Sequence, residues 1–274
     1  MKKTATIILN RNLPLVTESL YNSIERNNSG LTDIFIVESG SDKDKLARNY
    51  TWWANWDEAM THGLRIYRGF NYALSRLWKE NRFNQYDYFF LLTNDTEFED
   101  KPVLDILLDE MNTHKQVGIL SPCSQRWGER NLIGSDSTKY FWDVNNVAYI
   151  MRREFIESIM KHDNPDHMDF MYDGTNFCGY GAHLELIAKG YANDWATAIT
   201  TRVWVEENET HLKTKADLIK TEPFEIIEKE TWEEDKKWMR QKYGFNSRWT
   251  MQMYVKFFYD QFFCFHPEYE KFKI

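Results

Sequence analysis

The chain has 274 residues, 42% of them hydrophobic and 16% aromatic, with a formal net charge of -8 at pH 7. That is enough apolar material for a sizeable core in one large domain or a domain with an extension, and it excludes a disordered chain. The acidic balance argues against a broad electrostatic grip on nucleic acid, while a local basic groove stays open.

Residues 4–9 are apolar and predict a buried strand, followed by the polar turn Asn10, Arg11 and Asn12. Pro14 suits a first helical turn, and Val16, Leu20 and Ile24 recur at four-residue spacing. Residues 34–37 form a second short apolar strand that ends in Glu38-Ser39-Gly40-Ser41-Asp42. Strand, helix, strand with polar strand ends marks a parallel α/β sheet. Residues 50–64 read as a Trp-rich loop and Ile66 as an extended piece. Gly69 then precedes a helix with Phe70, Leu74, Leu77 and Trp78 on one face. Residues 88–92 are a strand ending at Thr93-Asn94-Asp95-Thr96, and Asp100 and Pro102 open the next helix. Further strands are expected at 117–120, closed by Ser121-Pro122, and at 144–151, with a helix over 153–161. Residues 163–180 are loop-like, 182–189 helical and stopped by Gly190, and 196–205 β-branched and strand-like. After an acidic stretch at 206–214 the composition shifts near Lys215, and amphipathic helices are predicted over 230–243 and 248–265. The domain reading is therefore 1–215 with a C-terminal helical extension over 216–274.

Three strands end in acid- or amide-bearing turns, at 10–12, 38–42 and 94–96. In a parallel sheet these turns meet at one edge, outside the carboxyl ends of the strands, where ligands of such folds bind. A hard cation on a diphosphate needs only one or two protein carboxylates, since phosphate and water complete its shell.

These segments, in this order, resemble a family 2 glycosyltransferase of the GT-A fold. Asn10-Arg11-Asn12 stands where that family has Thr-Tyr-Asn, and Val37-Glu38-Ser39-Gly40-Ser41 resembles Val-Asp-Asn-Gly-Ser. Arg68-Gly69-Phe70-Asn71 is similar to the family's Gly- and Asn-bearing helix start. Leu91-Leu92-Thr93-Asn94-Asp95-Thr96 resembles Leu-Leu-Asn-Pro-Asp-Thr, its form of the metal motif. The resemblance implies a Rossmann-like, mostly parallel sheet flanked by helices, and a nucleotide-sugar donor of the UDP type with Mn2+ or Mg2+. It implies donor contacts at Asn10, Asn12, Glu38, Ser41, Arg68, Asn71 and Asn94, with Asp95 and His211 as metal ligands. It also implies direct displacement with inversion at the anomeric carbon. The family's general base falls on His183 here, with Glu185 two residues on and Asp173 in the preceding loop as further candidates. A histidine titrating near pH 6.5 can take a hydroxyl proton. The opposing reading of His183 is a cap or packing residue, and of His211 a solvated loop histidine.

Other features have plainer expectations. Trp52, Trp53 and Trp56 are read as packing of a long loop onto the core, with a sugar-stacking wall as the alternative. The aromatic stretch near the C-terminus is read as a core-covering or dimer-forming helix. Cys123, Cys178 and Cys264 lack metal-site spacing and read as reduced thiols. The N-terminal apolar run is too short for a signal peptide and no window approaches a membrane span, so the expected location is the cytoplasm. The acceptor stays open between a glycan, a lipid-linked sugar, a protein and a modified nucleobase, with DNA disfavoured by charge. Two other classes compete: a nucleotidyltransferase, which would want a Gly-rich phosphate loop, and a non-catalytic nucleotide-sugar-binding protein.

Overall fold

In the computed structural model, which describes residues 3–124 and 129–274, Thr4–Asn10 (β1) is buried along its whole length. Its β-branched residues pack on both faces, as in a strand covered by helices on either side. Pro14–Asn27 (α1) begins with its proline, whose missing N–H costs nothing in the first turn. Thr32–Glu38 (β2) pairs parallel to β1 and carries a two-residue neighbour, Trp52–Trp53 (β3). Asp57–His62 (α2) and Arg65–Lys79 (α3) lead to Tyr88–Thr93 (β4), which lies parallel on the other side of β1. Thr96–Phe98 (β5), Val103–Thr113 (α4), Val117–Ser124 (β6), Glu129–Ile133 (α5) and Thr138–Tyr140 (β7) follow. Then come Ala148–Arg152 (β8), Arg153–Ile159 (α6), Gly181–Ala192 (α7) and Ala196–Glu207 (β9). Thr210–Thr214 (α8), Phe224–Tyr243 (α9) and Arg248–Phe265 (α10) follow, and a short 3-10 turn over Pro267–Phe272 comes after them.

The strands make one nine-stranded sheet in the order β3-β2-β1-β4-β8-β6-β9-β5, with β7 on β9. Strands β3, β2, β1, β4, β6 and β9 run one way, and β8, β5 and β7 run against them. This is the mostly parallel, helix-flanked α/β architecture expected from the sequence. The chain leaves β1 for β2 on one side and reaches β4 on the other. The ends of β1 and β4 therefore flank a switch point, where a crevice opens.

Several elements differ from their predicted form, each for a physical reason. The 50–64 loop contains β3 and α2. Trp52 is buried and stacks on Phe35 at 5.3 Å, so this Trp packs as expected. Ile66 is helical, because α3 starts at Arg65 and runs through Gly69. That glycine does not break the helix. A Cβ there would sit 2.9 Å from Leu9 Cδ1, so its absence lets α3 approach β1. β6 continues through Pro122, tolerated because the ladder with β9 is irregular between Pro122 and Cys123. α7 runs on through Gly190 to Ala192, with Phe155 filling the space beside the glycine. β5, β7 and α5 have no sequence signal of their own length.

α10 lies on α7, burying Met251, Val255, Tyr259, Phe262 and Phe263. The rings of Tyr259 and Phe262 both meet Tyr191 of α7 at 5.5 Å. Trp238 and Met239 of α9 join the same core cluster as the sheet residues. Among the described residues no helix is long and apolar enough to cross a membrane. All three cysteines are free.

Candidate active site

The polar ends of β1, β2 and β4 meet as their parallel register requires. Asn94 donates from Nδ2 to Asn10 Oδ1 (2.9 Å), and Asn10 Nδ2 donates to both oxygens of Glu38 (2.9 and 3.1 Å). Ser41 Oγ (2.5 Å) and the Ala47 amide (2.7 Å) also donate to Glu38. Burial pushes the Glu38 carboxyl up, against the pull of these donors. Glu38 is closed off from solvent, so it anchors the strand ends to one another rather than presenting a free carboxylate. Asn12 has φ of 56°, a left-handed conformation that Asn tolerates. Its side chain bridges the Asp42 amide (2.7 Å) and the Leu218 carbonyl (2.9 Å), tying the first turn to the C-terminal quarter of the chain.

Above this network lies a cleft of about 260 Å³ whose lining includes Asn10, Arg11, Arg65, Asn94, Asp95 and Glu207. Ile219, Thr221, Ile227 and Thr231 form its far wall. Arg11 and Arg65 are the feature that sequence reasoning missed. The Nε of each is buried without a hydrogen-bond partner, and neither forms an ion pair among the described residues. Burial and the neighbouring Arg65 pull the Arg11 guanidinium down to about 10, against the opposing effect of Asp42. Arg65 holds Thr221 at 3.0 Å and Arg11 holds the Thr61 carbonyl at 3.0 Å, so both are positioned before any ligand arrives. The only sequence signal was the arginine inside the first strand-end turn. Arg65 gave none, because it sits at the start of a helix not expected there. Cys178 also lines the cleft, and burial pushes its thiol up to about 11, which leaves it unreactive.

Asp95 faces the cleft on one side and, on the other, a cavity lined also by Asn208 and His211. Among the described residues its Oδ1 is buried without a hydrogen-bond partner, as is Nδ1 of His211. Burial raises the Asp95 carboxyl, and Thr93 and His211 oppose that rise. Asn208 fixes the relation between the two: its amide donates to the Asp95 carbonyl (2.8 Å), three residues before His211. Two orphaned, buried metal-ligating atoms from residues on one cavity fit a divalent cation that draws its other ligands from phosphate and water. No larger group of His, Cys, Asp and Glu suited to a metal occurs among the described residues.

The remaining sequence candidates lie elsewhere. Arg68 donates to the Gly174 carbonyl (2.7 Å), pairs with Glu58 and covers the Phe177 ring. Asn71 is fully buried and clamps the 163–180 loop through Tyr172 and Met171. Asp173 is bound by Lys242, Trp238 and Thr175. Burial raises its carboxyl, but Lys242 and Thr175 outweigh this and hold it at about 2. Glu185 is buried against Tyr243 and Lys242 (2.7 Å), with Lys189 also near. Neither carboxylate lines the cleft. His183 is buried, with Nε2 3.1 Å from the Val144 carbonyl and Nδ1 unpartnered. A carbonyl only accepts, so Nε2 carries the proton and Nδ1 a bare lone pair. Burial drives this imidazole down to about 4.

No family model matches this chain, and no curated protein matches it. Among solved structures, it is similar to the mannosyltransferase PcManGT from Pyrobaculum calidifontis, determined with GDP-Man and Mn2+. The identity is 11% over 72% of this chain and 54% of that one, with a TM-score of 0.47. Glucosyl-3-phosphoglycerate synthase from Mycobacterium tuberculosis, with Mn2+, UDP and glucosyl-3-phosphoglycerate, is 14% identical. That match covers 81% of this chain and 82% of the other, at a TM-score of 0.44. A mycobacterial protein is 12% identical over 88% and 74%, at 0.48. The chain thus spans about half the length of the mannosyltransferase.

Proposed function

We propose that this chain is a glycosyltransferase that binds a nucleotide-sugar through its diphosphate in the cleft at the ends of β1 and β4. One observation carries this reading: two guanidiniums, Arg11 and Arg65, with no ion-pair partner among the described residues, share a cleft with Asp95. Two like charges held together in a partly buried place repel unless an anion lies between them. Guanidinium forks suit phosphate oxygens. A carboxylate facing the same anion would be repulsive, unless a cation bridges the two. A diphosphate carrying Mn2+ or Mg2+ satisfies all three groups at once.

Asp95 and His211 would hold that cation, which supplies neutralisation of charge on the leaving diphosphate. Arg11 and Arg65 do the same work from the other side, already oriented by Thr61 and Thr221. Asn10 and Asn94 keep the strand ends in register around it. A nucleotidyltransferase reading has less support, since the turn after β1 contains no glycine-rich phosphate loop. Inversion, with the acceptor hydroxyl attacking opposite the leaving group, is the stereochemistry this reading expects.

The test is calorimetric titration with UDP-glucose and GDP-mannose, with Mn2+ and with EDTA. R11Q and R65Q should each weaken nucleotide binding about tenfold or more under both conditions, a loss of roughly 1.5–3 kcal/mol for a charged hydrogen bond. Asp95→Asn should weaken it only when Mn2+ is present. Wild-type affinity in all three variants would defeat the assignment.

A further inference from the structure

A second cavity adjoins the cleft. It has a volume of about 460 Å³ and shares Ile66, Tyr180 and Glu207 with the cleft wall. Phe141, Asp143, His183 and Arg248 complete the part of its lining that matters here. This size suits a small ligand such as a single sugar unit. Neither Asp173 nor Glu185 reaches it, because both are spent on Lys242.

We propose that this cavity holds the acceptor of the transfer, a neutral polyhydroxylated molecule, and that Asp143 is the base that takes the proton from its attacking hydroxyl. The inference rests on the donor reading above. The Asp143 carboxylate accepts the proton, and the acceptor oxygen uses the freed electron pair to bond the anomeric carbon. The bond from that carbon to the diphosphate oxygen breaks, and its electron pair departs with the diphosphate. The proton on Asp143 then passes to solvent.

The neighbours of Asp143 support this division of labour. Arg248 of α10 is held over the rings of Tyr180 (5.3 Å) and Trp232 (5.1 Å) and lowers the basicity of both Asp143 and His183. Glu207 approaches from β9 and Tyr180 from the turn before α7. Burial nevertheless pushes the Asp143 carboxyl up to about 6, while His183 stands at about 4. A base works best when its pKa lies near the working pH, so Asp143 is the better proton acceptor of the two. His183 keeps a buried lone pair on Nδ1, suited to orienting a second hydroxyl. A carboxylate base at Asp143 disfavours an anionic acceptor, and the faces of Phe141 and Tyr180 suit the apolar face of a sugar ring.

The experiment uses the full chain with UDP-glucose or GDP-mannose and Mn2+, and free glucose and mannose as acceptor probes. Nucleotide affinity and single-turnover nucleotide release are measured for the wild type, D143N and H183A. D143N should bind nucleotide as the wild type does, release it on the order of 100-fold more slowly, and lose the acid limb of the rate profile near pH 6. H183A should keep that limb at a reduced rate. A D143N protein that turns over at the wild-type rate, or keeps the limb, overturns the inference while leaving the donor reading intact. A wild-type chain that binds neither nucleotide overturns both.

Discussion

Asp143 and His183 line one cavity and are driven in opposite senses by the same burial, because burial disfavours the charged form of each. The consequence for stability can be worked out in sign. His183 falls from 6.5 to about 4 on folding, so between those values the unfolded chain holds an extra proton and stability drops as pH falls. Asp143 rises from 3.8 to about 6, so in that window the folded chain holds the extra proton and stability drops as pH rises. The two slopes oppose each other, on the order of 1 kcal/mol per pH unit each. D143N removes one of them. Urea denaturation at several pH values should find D143N more stable than the wild type at pH 7, with the gain shrinking as pH falls toward 4. A variant that is less stable at pH 7 would mean the carboxylate is well solvated after all. Such a gain on removing a catalytic group is the usual trade between stability and activity. Asn10, Asn94 and Asp95 were legible in the sequence because polar residues directly after apolar strands must gather at one sheet edge. Arg65 and Asp143 were not. Their role comes from what packs over them from β9, α10 and the segment after Lys215, at sequence distances that no local pattern reports.

At the scale of elements, the N-terminus of α7 is capped by a residue from another helix. The helix has no acid in its own first turn. Asp235 of α9 supplies one instead, accepting from the amides of Tyr180 (2.9 Å) and Gly181 (2.7 Å) and from Asn176 Nδ2 (3.0 Å). A buried carboxylate at a helix N-terminus answers both the orphan amides and the helix dipole. The approach is so close that a Cβ on Gly179 would meet Asp235 Oδ1 at 2.0 Å. Asp235→Ala should cost on the order of 3 kcal/mol, since three donors lose their partner in a buried place. Asp235→Asn should cost less, keeping one acceptor oxygen. Denaturant midpoints distinguish them, and equal midpoints for D235A and wild type would rule out the cap. The helices α1 and α10 could be read from their spacing because a whole apolar face repeats. The start of α3 could not, since Gly69 looks like a stop and acts as a contact point with β1. The short strands β5 and β7 depend on pairing with β9, which a chain of three residues cannot announce by itself.

For the molecule as a whole, the cleft is assembled from distant parts of the chain. Its floor comes from strands near the N-terminus, and its far wall from Ile219, Thr221, Ile227 and Thr231. Lys220 pairs with Asp42, and the Leu218 carbonyl accepts from Asn12, so the wall is fastened to the first two strand ends. A nucleotide between floor and wall should therefore protect both. Hydrogen exchange with UDP-glucose and Mn2+ should slow amides at 217–221 and at 93–95 together, by roughly tenfold or more. Protection confined to 93–95 would show that the wall takes no part in binding. The α/β layering was legible from hydrophobic pattern alone, and so were the helices α9 and α10. That residues 219–231 form part of the cleft was not, because their contribution is a run of mixed polarity with no period. The same fastening carries a consequence for how the protein is made. During synthesis the strand ends that form the floor leave the ribosome more than a hundred residues ahead of the wall. Until that later stretch emerges, Arg65 has no Thr221 to hold it and Asn12 no Leu218 carbonyl to bind. The nascent chain thus carries an open, unfinished groove until the stretch from Leu218 to Thr231 has been translated.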